Sequence, residues 1–292
     1  MFQKLKMLSL RDLVVYVYFA PLFIFYGVIF AYPLFMTFVR SFGLMPVSPR
    51  SPGVFTLKYY AEFFKPGSVY LESLWFSIWN SLIIVMATSV LGYLIALYFF
   101  LSDFRGKRTI FALFNSPLFV PYLVAAFMWL EILAPYGYVN GFLMMLGVID
   151  EPLRLIWDPY GIGIIVANVW MNVPFVTTLM LGAFESLDPD LAYAARNLGA
   201  GTWTIIRRIY FPLTLPAFIA GTLLVFVGVF GAFSVPFILG GSWPKYLSIV
   251  IYEDVIERRE WEMGYVSAVV YIVSALVLTY VYTKIVRKMG GE

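Results

Sequence analysis

The residues that decide the fold lie between Glu185 and Pro216 and read ESLDPDLAYAARNLGAGTWTIIRRIYFPLTLP. Asp188 stands where a helix N-cap belongs, and Pro189 follows at the first helical position, where a missing N–H costs nothing. The helix is predicted to run to about Leu198. Gly199 comes next, at the position where a helix end commonly requires a positive φ. The pattern therefore predicts a short helix with a defined start and a defined end.

This short helix has one face of small and apolar residues. Leu191, Ala194, Ala195 and Leu198 follow one another at intervals of three or one, so they share a side of the helix. The two alanines permit the close approach of another surface. A short, exposed helix joined tightly to two long apolar segments predicts a docking element for a partner protein.

The composition predicts an all-α integral membrane protein. Of the 292 residues, 62% are hydrophobic and 13% are charged, whereas soluble domains are about half apolar and a quarter charged. The mean hydropathy is +0.86. Cysteine and histidine are absent, which excludes disulfides and thiol chemistry and removes the usual metal ligand and general base. The sequence is thus a poor candidate for metal or nucleophilic chemistry.

The apolar runs predict six transmembrane helices, each long enough to cross a bilayer. The spans are placed at about 13–39, 79–101, 109–133, 160–184, 213–239 and 263–286. Pro236 is expected to interrupt the far end of the fifth span. The predicted organisation is a tail at 1–12, the first span, a loop at 40–76, a core of five spans at 77–286 that includes the loop 185–212, and a tail at 287–292.

Lysine and arginine placement predicts that both termini and the docking helix are cytoplasmic. Twelve of the twenty basic residues and six of the seventeen acids fall on that side, giving +6, and the remaining eight basic and eleven acidic residues give −3. The predicted location is the cell membrane, crossed several times. The first apolar run is too long for the core of a signal peptide and is read as a retained span.

Three extracytoplasmic segments carry specific expectations. Residues 57–64 predict a short amphipathic helix, either at the membrane interface or on the protein surface. Residues 134–159 are predicted to form an outer loop. Residues 240–262 are predicted to form a charged loop, which is either a solvated face or a docking surface for an extracytoplasmic binding protein.

The stretch AYAARNLGAGTWTIIRRIYFPLTLP resembles the EAA loop, the signature of permease subunits of type I ATP-binding-cassette importers. Seven positions carry the match: Ala194, Ala195, Gly199, Ala200, Arg207, Pro212 and Pro216. TLKYYAEFF before the second span and Asn80-Ser81 also fit the family. Tyr193 replaces the glutamate that names the loop, and Asn197 replaces an aspartate of one branch, so both changes remove charge from the docking surface.

The resemblance implies the six-helix, MetI-like permease fold and a set of partners. The permease would pair with a second permease subunit or a copy of itself, two ATPases and an extracytoplasmic solute-binding protein. No phosphate-binding loop occurs in this sequence, so ATP and magnesium would be bound by the partner ATPases, and this chain would not itself be an enzyme. The residues implied to contact the ATPase are Leu191, Tyr193, Ala194, Ala195, Asn197, Leu198, Gly199 and Ala200.

The branch of the family bears on the substrate. ARNLGAG and the stretch VFVGVFGAFSVPFILGG resemble importers of polyamines, ferric iron and oxyanions more than the sugar branch. The near absence of acids within the spans weakens the polyamine choice. An importer of the sugar branch, an ion-coupled secondary carrier and a membrane scaffold stay open as alternatives, although a carrier would need a relay of charged groups that the spans lack.

Weaker candidates line a possible translocation path. Glu131 is the clearest ionisable group within a span, although it would equally suit the headgroup level. Asn168 and Asn172 share a helix face, where hydrogen bonds between helices are the alternative. Glycines at 228, 231, 240 and 241 predict either close packing or solute contact. Near the interruption of the fifth span, the path candidates are Gly231, Phe233 and Ser234.

Overall fold

The computed structural model describes residues 10–46 and 53–289, and these residues are mostly helical and contain no strand. Of the predicted tails, residues 1–9 and 290–292 lie outside these ranges, whereas 10–12 belong to the first helix and 287–289 to the last. The helices are α1 (Leu10–Tyr26), α2 (Tyr32–Ser41), α3 (Lys58–Phe63), α4 (Val69–Leu101), α5 (Lys107–Phe114), α6 (Tyr122–Leu133), α7 (Tyr138–Met145), α8 (Ile162–Glu185), α9 (Pro189–Asn197), α10 (Thr202–Ile205), α11 (Phe211–Phe230), α12 (Ser234–Leu239), α13 (Leu247–Tyr252) and α14 (Trp261–Met289).

Six helical segments of the described chain are long and apolar enough to cross a membrane, as the sequence predicts. They are Tyr18–Ser41, Val69–Leu101, Tyr122–Met145, Ile162–Glu185, Thr202–Phe230 and Trp261–Lys284. The second begins at Val69 rather than near Trp79, because Ser68 caps it: the Ser68 hydroxyl accepts a hydrogen bond from the Leu71 N–H at 3.1 Å.

The third span is broken into several helices. The stretch that packs along α8 is not the segment that hydropathy selects. Hydropathy selects Tyr122–Met145, but a turn at Ala134–Gly137, in which the Gly137 N–H donates to the Ala134 carbonyl at 2.8 Å, separates α6 from α7. The stretch from α5 to α6 runs antiparallel to α8 along most of its length. The contacts pair Asn115 with Thr178, Trp129 with Trp170, and Leu133 with Gly163.

The core of the bundle consists of α4, α8 and α11, with α14 packed against α11. Phe184 and Val176 of α8 are completely buried there. Two glycines allow the helices to approach closely. A Cβ at Gly92 would lie 2.7 Å from the Cβ of Val176, and one at Gly221 would lie 2.5 Å from the Leu179 side chain. Small residues at helix crossings are a general device of membrane bundles.

The fifth span ends earlier than predicted. Helix α11 stops at Gly231, and Pro236 lies in the first turn of α12, where its missing N–H leaves no helical hydrogen bond unmade. The interruption therefore belongs to Gly231 and the two residues after it. Gly228 makes no close packing contact among the described residues of this chain, because a Cβ there would meet nothing within 4 Å.

The segment after α12 is more buried than the charged loop that the sequence predicts at 240–262. Tyr246, Leu247 and Val250 are almost completely buried, because α13 packs between α4 and α14. The Leu247 N–H donates to the Ser77 hydroxyl of α4 at 2.8 Å. The expectation of a solvated loop thus fails for its first half, whereas residues 256–260 are exposed.

The first span lies at the periphery. None of its membrane-length window is buried within this chain. Its α2 end contacts α14, where the Arg40 guanidinium donates to the Tyr265 hydroxyl at 3.0 Å. Helix α3 forms as predicted and packs on the bundle by one face: Phe63 is completely buried, and the hydroxyls of Tyr60 and Ser41 share a hydrogen bond of 2.7 Å.

Candidate functional site

Helix α9 forms with the predicted caps. The Asp188 carboxylate accepts a hydrogen bond from the Asp190 N–H at 2.9 Å, and Pro189 is the first helical residue. The helix ends at Asn197, and Gly199 adopts a φ of +83°. Only glycine takes this conformation without strain. We refer to the end of the bundle that carries this helix as the α9 end.

Helix α9 is held by one small side chain and presents the rest outward. Ala192 is the buried residue of the helix, while Leu198 is 89% exposed and Tyr193 is 60% exposed. The predicted docking residues divide accordingly: Leu191, Tyr193, Ala194, Asn197, Leu198 and Gly199 are exposed, and Ala195 and Ala200 are half-buried. Six of the eight are therefore accessible together on one short element.

The α9 segment, by which we mean residues 185–209, is anchored at both ends in an aromatic cluster. Phe184, just before it, stacks on Phe100 of α4 with ring centroids 5.3 Å apart. Tyr210, just after it, packs edge-on against the same Phe100 at 5.3 Å. Tyr93 contacts Phe184 at 5.4 Å. These ring contacts join the chain on both sides of α9 to α4.

The two path candidates on α8 are buried rather than exposed to an open channel. The Asn168 amide donates to the Ile164 carbonyl, and the Asn172 amide donates to the Asn168 carbonyl, both at 2.8 Å. Both of these hydrogen bonds are made to the backbone of α8 itself, and neither joins two helices. The Oδ1 atom of Asn168 has no hydrogen-bond partner among the described residues.

The path candidates at the end of α11 lie close together. Gly231 ends the helix, and Phe233 stacks on Phe237 with ring centroids 5.2 Å apart; Ser234 begins α12 and is half-buried. The interruption was expected to free backbone groups for a solute. Two such carbonyls are instead occupied, that of Phe230 by the Tyr271 hydroxyl and that of Ala232 by the Ser248 hydroxyl.

Glu131 lies at the end of the bundle opposite α9, close to the end of α6. It is exposed and lines a cavity of about 500 Å³. The other lining residues are Tyr136, Gly137, Tyr138, Gly141 and Phe142. The sequence pointed to Glu131 but missed these neighbours, because residues 134–159 read as an irregular loop. The alternation of aromatic residues and glycine from 136 to 142 was the signal that could have identified them.

Charged residues on both sides of α13 form an ion-pair cluster. Arg258 contacts the Asp254 carboxylate at 2.8 Å and the Glu253 carboxylate at 3.0 Å, and Lys245 contacts Glu253 at 2.5 Å. Burial raises the pKa of Asp254 to about 6, and the positive charge of Arg258 offsets only part of that effect. No group of three potential metal ligands occurs in the described ranges.

Comparison with known proteins agrees with this architecture. Residues 88–291 match the family described as binding-protein-dependent transport system inner membrane component. The chain is 32% identical over 239 residues to the spermidine/putrescine transport system permease protein PotB of Escherichia coli (strain K12), covering 82% of this chain and 86% of PotB. It is 26% identical over 211 residues to the probable sulfate transport system permease protein cysT of Prototheca wickerhamii, covering 71% and 80%.

The fold has a counterpart among solved structures. It resembles a chain in the crystal structure of a bacterial alginate ABC transporter in complex with an alginate pentasaccharide-bound periplasmic protein, with a TM-score of 0.80, 19% identity and coverage of 96% of each chain. The family match spans most of the chain, and the six membrane-length apolar helices among the described residues make the chain a multi-pass membrane protein. The chain therefore belongs to the inner-membrane components of binding-protein-dependent transport systems, and it is a permease of the type I ATP-binding-cassette importer class.

Proposed function

We propose that this permease forms half of the path by which a polyamine is imported at the expense of ATP. It pairs with a second permease subunit, and two ATPases that bind ATP and magnesium dock on the α9 side. A solute-binding protein delivers the substrate at the opposite end. Similarity to PotB carries the substrate assignment, since it is closer and covers more of the chain than the similarity to the sulfate permease.

The proposed orientation places the α9 end in the cytoplasm. Phe100, Phe184 and Tyr210 meet at this end, so the α4–α5 turn and the α9 segment share it. Both are rich in arginine and lysine, which favours the cytoplasmic side. The same side is where ATPases have access to ATP.

The proposed role of α9 is to couple ATPase movement to the spans. The exposed Leu191, Tyr193 and Leu198 supply apolar contact area, while Ala194 and Gly199 allow a partner surface to approach closely. Closure of the two ATPases around ATP moves α9 as a rigid body. The aromatic anchors at both ends of the segment pass that movement to the helices of the core, which rock between two arrangements.

The proposed path lies between this chain and its partner permease. The end of α11, with Gly231, Phe233 and Ser234, is accessible or half-buried and provides aromatic surface. The buried Asn168 and Asn172 are assigned to holding α8 in place. The open Oδ1 of Asn168 keeps it a candidate for contact with solute or water when the helices move.

The docking role of α9 is tested by two matched variants, Leu198→Asp and Leu146→Asp. Both leucines are exposed, each caps the end of a short helix, and each precedes a glycine with positive φ. The tagged chain is purified from its native membrane, and the retained ATPase is quantified. We expect Leu198→Asp to lose the ATPase and Leu146→Asp to keep it. Full retention by Leu198→Asp, with the variant inserted normally, would refute the docking role.

A further inference from the structure

The Glu131 cavity groups one carboxylate with exposed aromatic rings at the end of the bundle opposite α9. Tyr136 is 92% exposed and Tyr138 is 79% exposed, and Phe142 is also exposed. Aromatic side chains usually contribute large buried areas to a fold. Rings that remain this exposed make few packing contacts within this chain, so their faces are available to a ligand beside the acid.

The Glu131 carboxylate is available to a ligand. It forms no hydrogen bond or ion pair with any residue in the ranges 10–46 and 53–289. It also lies in the last turn of α6, where the helix dipole favours a cation and disfavours a negative charge. A positively charged ligand would pair with the carboxylate and would also offset its unfavourable position in the helix dipole.

The cavity walls are held in place by the backbone. A Cβ at Gly137 would lie 2.3 Å from the Glu131 carbonyl oxygen, so the turn after α6 can close only with glycine there. The completely buried Asn140 then fixes α7: its amide donates to the carbonyls of Ala134 and Leu153, and its oxygen accepts from the Leu153 N–H at 2.8 Å. The aromatic rings on either side of Asn140 are therefore presented by an ordered element.

We propose that this cavity is a binding site for an alkylammonium group, with Glu131 as its counter-ion and Tyr136, Tyr138 and Phe142 as aromatic walls. A carboxylate forms strong, charge-assisted hydrogen bonds with an ammonium group. Aromatic faces attract the same cation and also pack against its methylene chain. The site repels oxyanions. It deepens the proposed function, on which it rests for the identity of the solute, by giving a polyamine a first contact with the permease.

The test uses the absence of cysteine from the chain. Gly141 lines the cavity within α7, and a Cβ there meets nothing within 4 Å, so Gly141→Cys places a single thiol in the cavity. In the purified transporter, this thiol is allowed to react with the cationic aminoethyl methanethiosulfonate or with the anionic sulfonatoethyl methanethiosulfonate. The rates of the two reactions are then compared. The comparison is repeated with Glu131→Gln or Glu151→Gln added, since Glu151 is an exposed acid that does not line the cavity.

We expect the cationic reagent to be preferred, and the preference to fall on the order of tenfold with Glu131→Gln, as for loss of one charge-assisted interaction. Glu151→Gln should leave it unchanged, and spermidine should slow modification only when Glu131 is present. The site is overturned if the preference for the cationic reagent is the same with and without Glu131, or if spermidine does not slow modification of the thiol. Spermidine uptake by the wild-type transporter is measured separately: its absence overturns the polyamine assignment, while a Glu131-dependent cation preference still supports the site.

Discussion

Gly199 provides a quantitative test of coupling through α9. Its φ of +83° is a left-handed conformation, and a Cβ there would meet nothing within 4 Å, so the effect of a substitution is conformational rather than steric. A left-handed conformation costs an L-residue about 1–2 kcal/mol. This penalty shifts the equilibrium away from the native loop by about 5- to 30-fold. Asparagine tolerates the conformation better than alanine.

The chain contains a matched control for this prediction. Gly147 also has a positive φ of +67° and open space around it, but it follows α7 at the other end of the bundle. We expect Gly199→Ala and Gly147→Ala to lower the melting temperature similarly, while only Gly199→Ala reduces ATP-driven uptake by reconstituted transporter. Gly199→Asn should fall between Gly199→Ala and the wild type. Equal uptake by both alanine variants would refute the coupling role.

Two further predictions concern stability in detergent, followed by tryptophan fluorescence on heating. Gly92→Ala should destabilise the bundle by about 1–3 kcal/mol, as overpacking does, because its Cβ would lie 2.7 Å from that of Val176. Gly182→Ala should not destabilise it, because a Cβ at Gly182 meets open space. Equal melting temperatures of the two variants would contradict the close approach of the helices at Gly92. Burial raises the pKa of Asp254 from 3.8 to about 6, so the folded state binds a proton that the unfolded chain has released, and stability should fall by up to about 3 kcal/mol as pH rises through that window. Asp254→Asn should abolish this dependence, and an unchanged pH profile would show that another group is responsible.

The sequence was sufficient for α9 because the signals that define it are local. Asp188 and Pro189 set its start, and Gly199 sets its end, through conformational preferences that act within a few residues. The number of spans was equally predictable, because hydropathy over a bilayer-length window depends on composition alone. The side chains of α9 that face outward followed from its helical period, except that Ala195 is half-buried.

The errors arose where distant residues decide the structure. Tyr246 and Leu247 lie near a run of charged residues, and the local sequence reads as a loop; they are buried because α4 and α14 cover them. The break after α11 falls at Gly231 rather than Pro236, since Tyr271 and other residues far along the chain occupy the freed carbonyls. Proline can begin α12 as readily as it could have ended α11.

The Glu131 cavity illustrates the limit of reasoning from single residues. An ionisable residue within an apolar run identified Glu131 as a candidate. The alternation of aromatic residues and glycine from 136 to 142 was a signal for its neighbours, but their position beside Glu131 depends on the tight turn at Gly137 and the hydrogen bonds of Asn140. Both features depend on backbone contacts that the local pattern does not specify.

The central claim is that this chain moves a polyamine only when an ATPase drives it. The most direct measurement is spermidine uptake into proteoliposomes that contain the chain with its copurified partners, with ATP enclosed and the proton and sodium gradients collapsed. The account predicts accumulation that requires ATP hydrolysis and is lost with Leu198→Asp. Uptake that an ion gradient drives through the chain alone, without ATPase or ATP, would contradict the account and identify a secondary carrier.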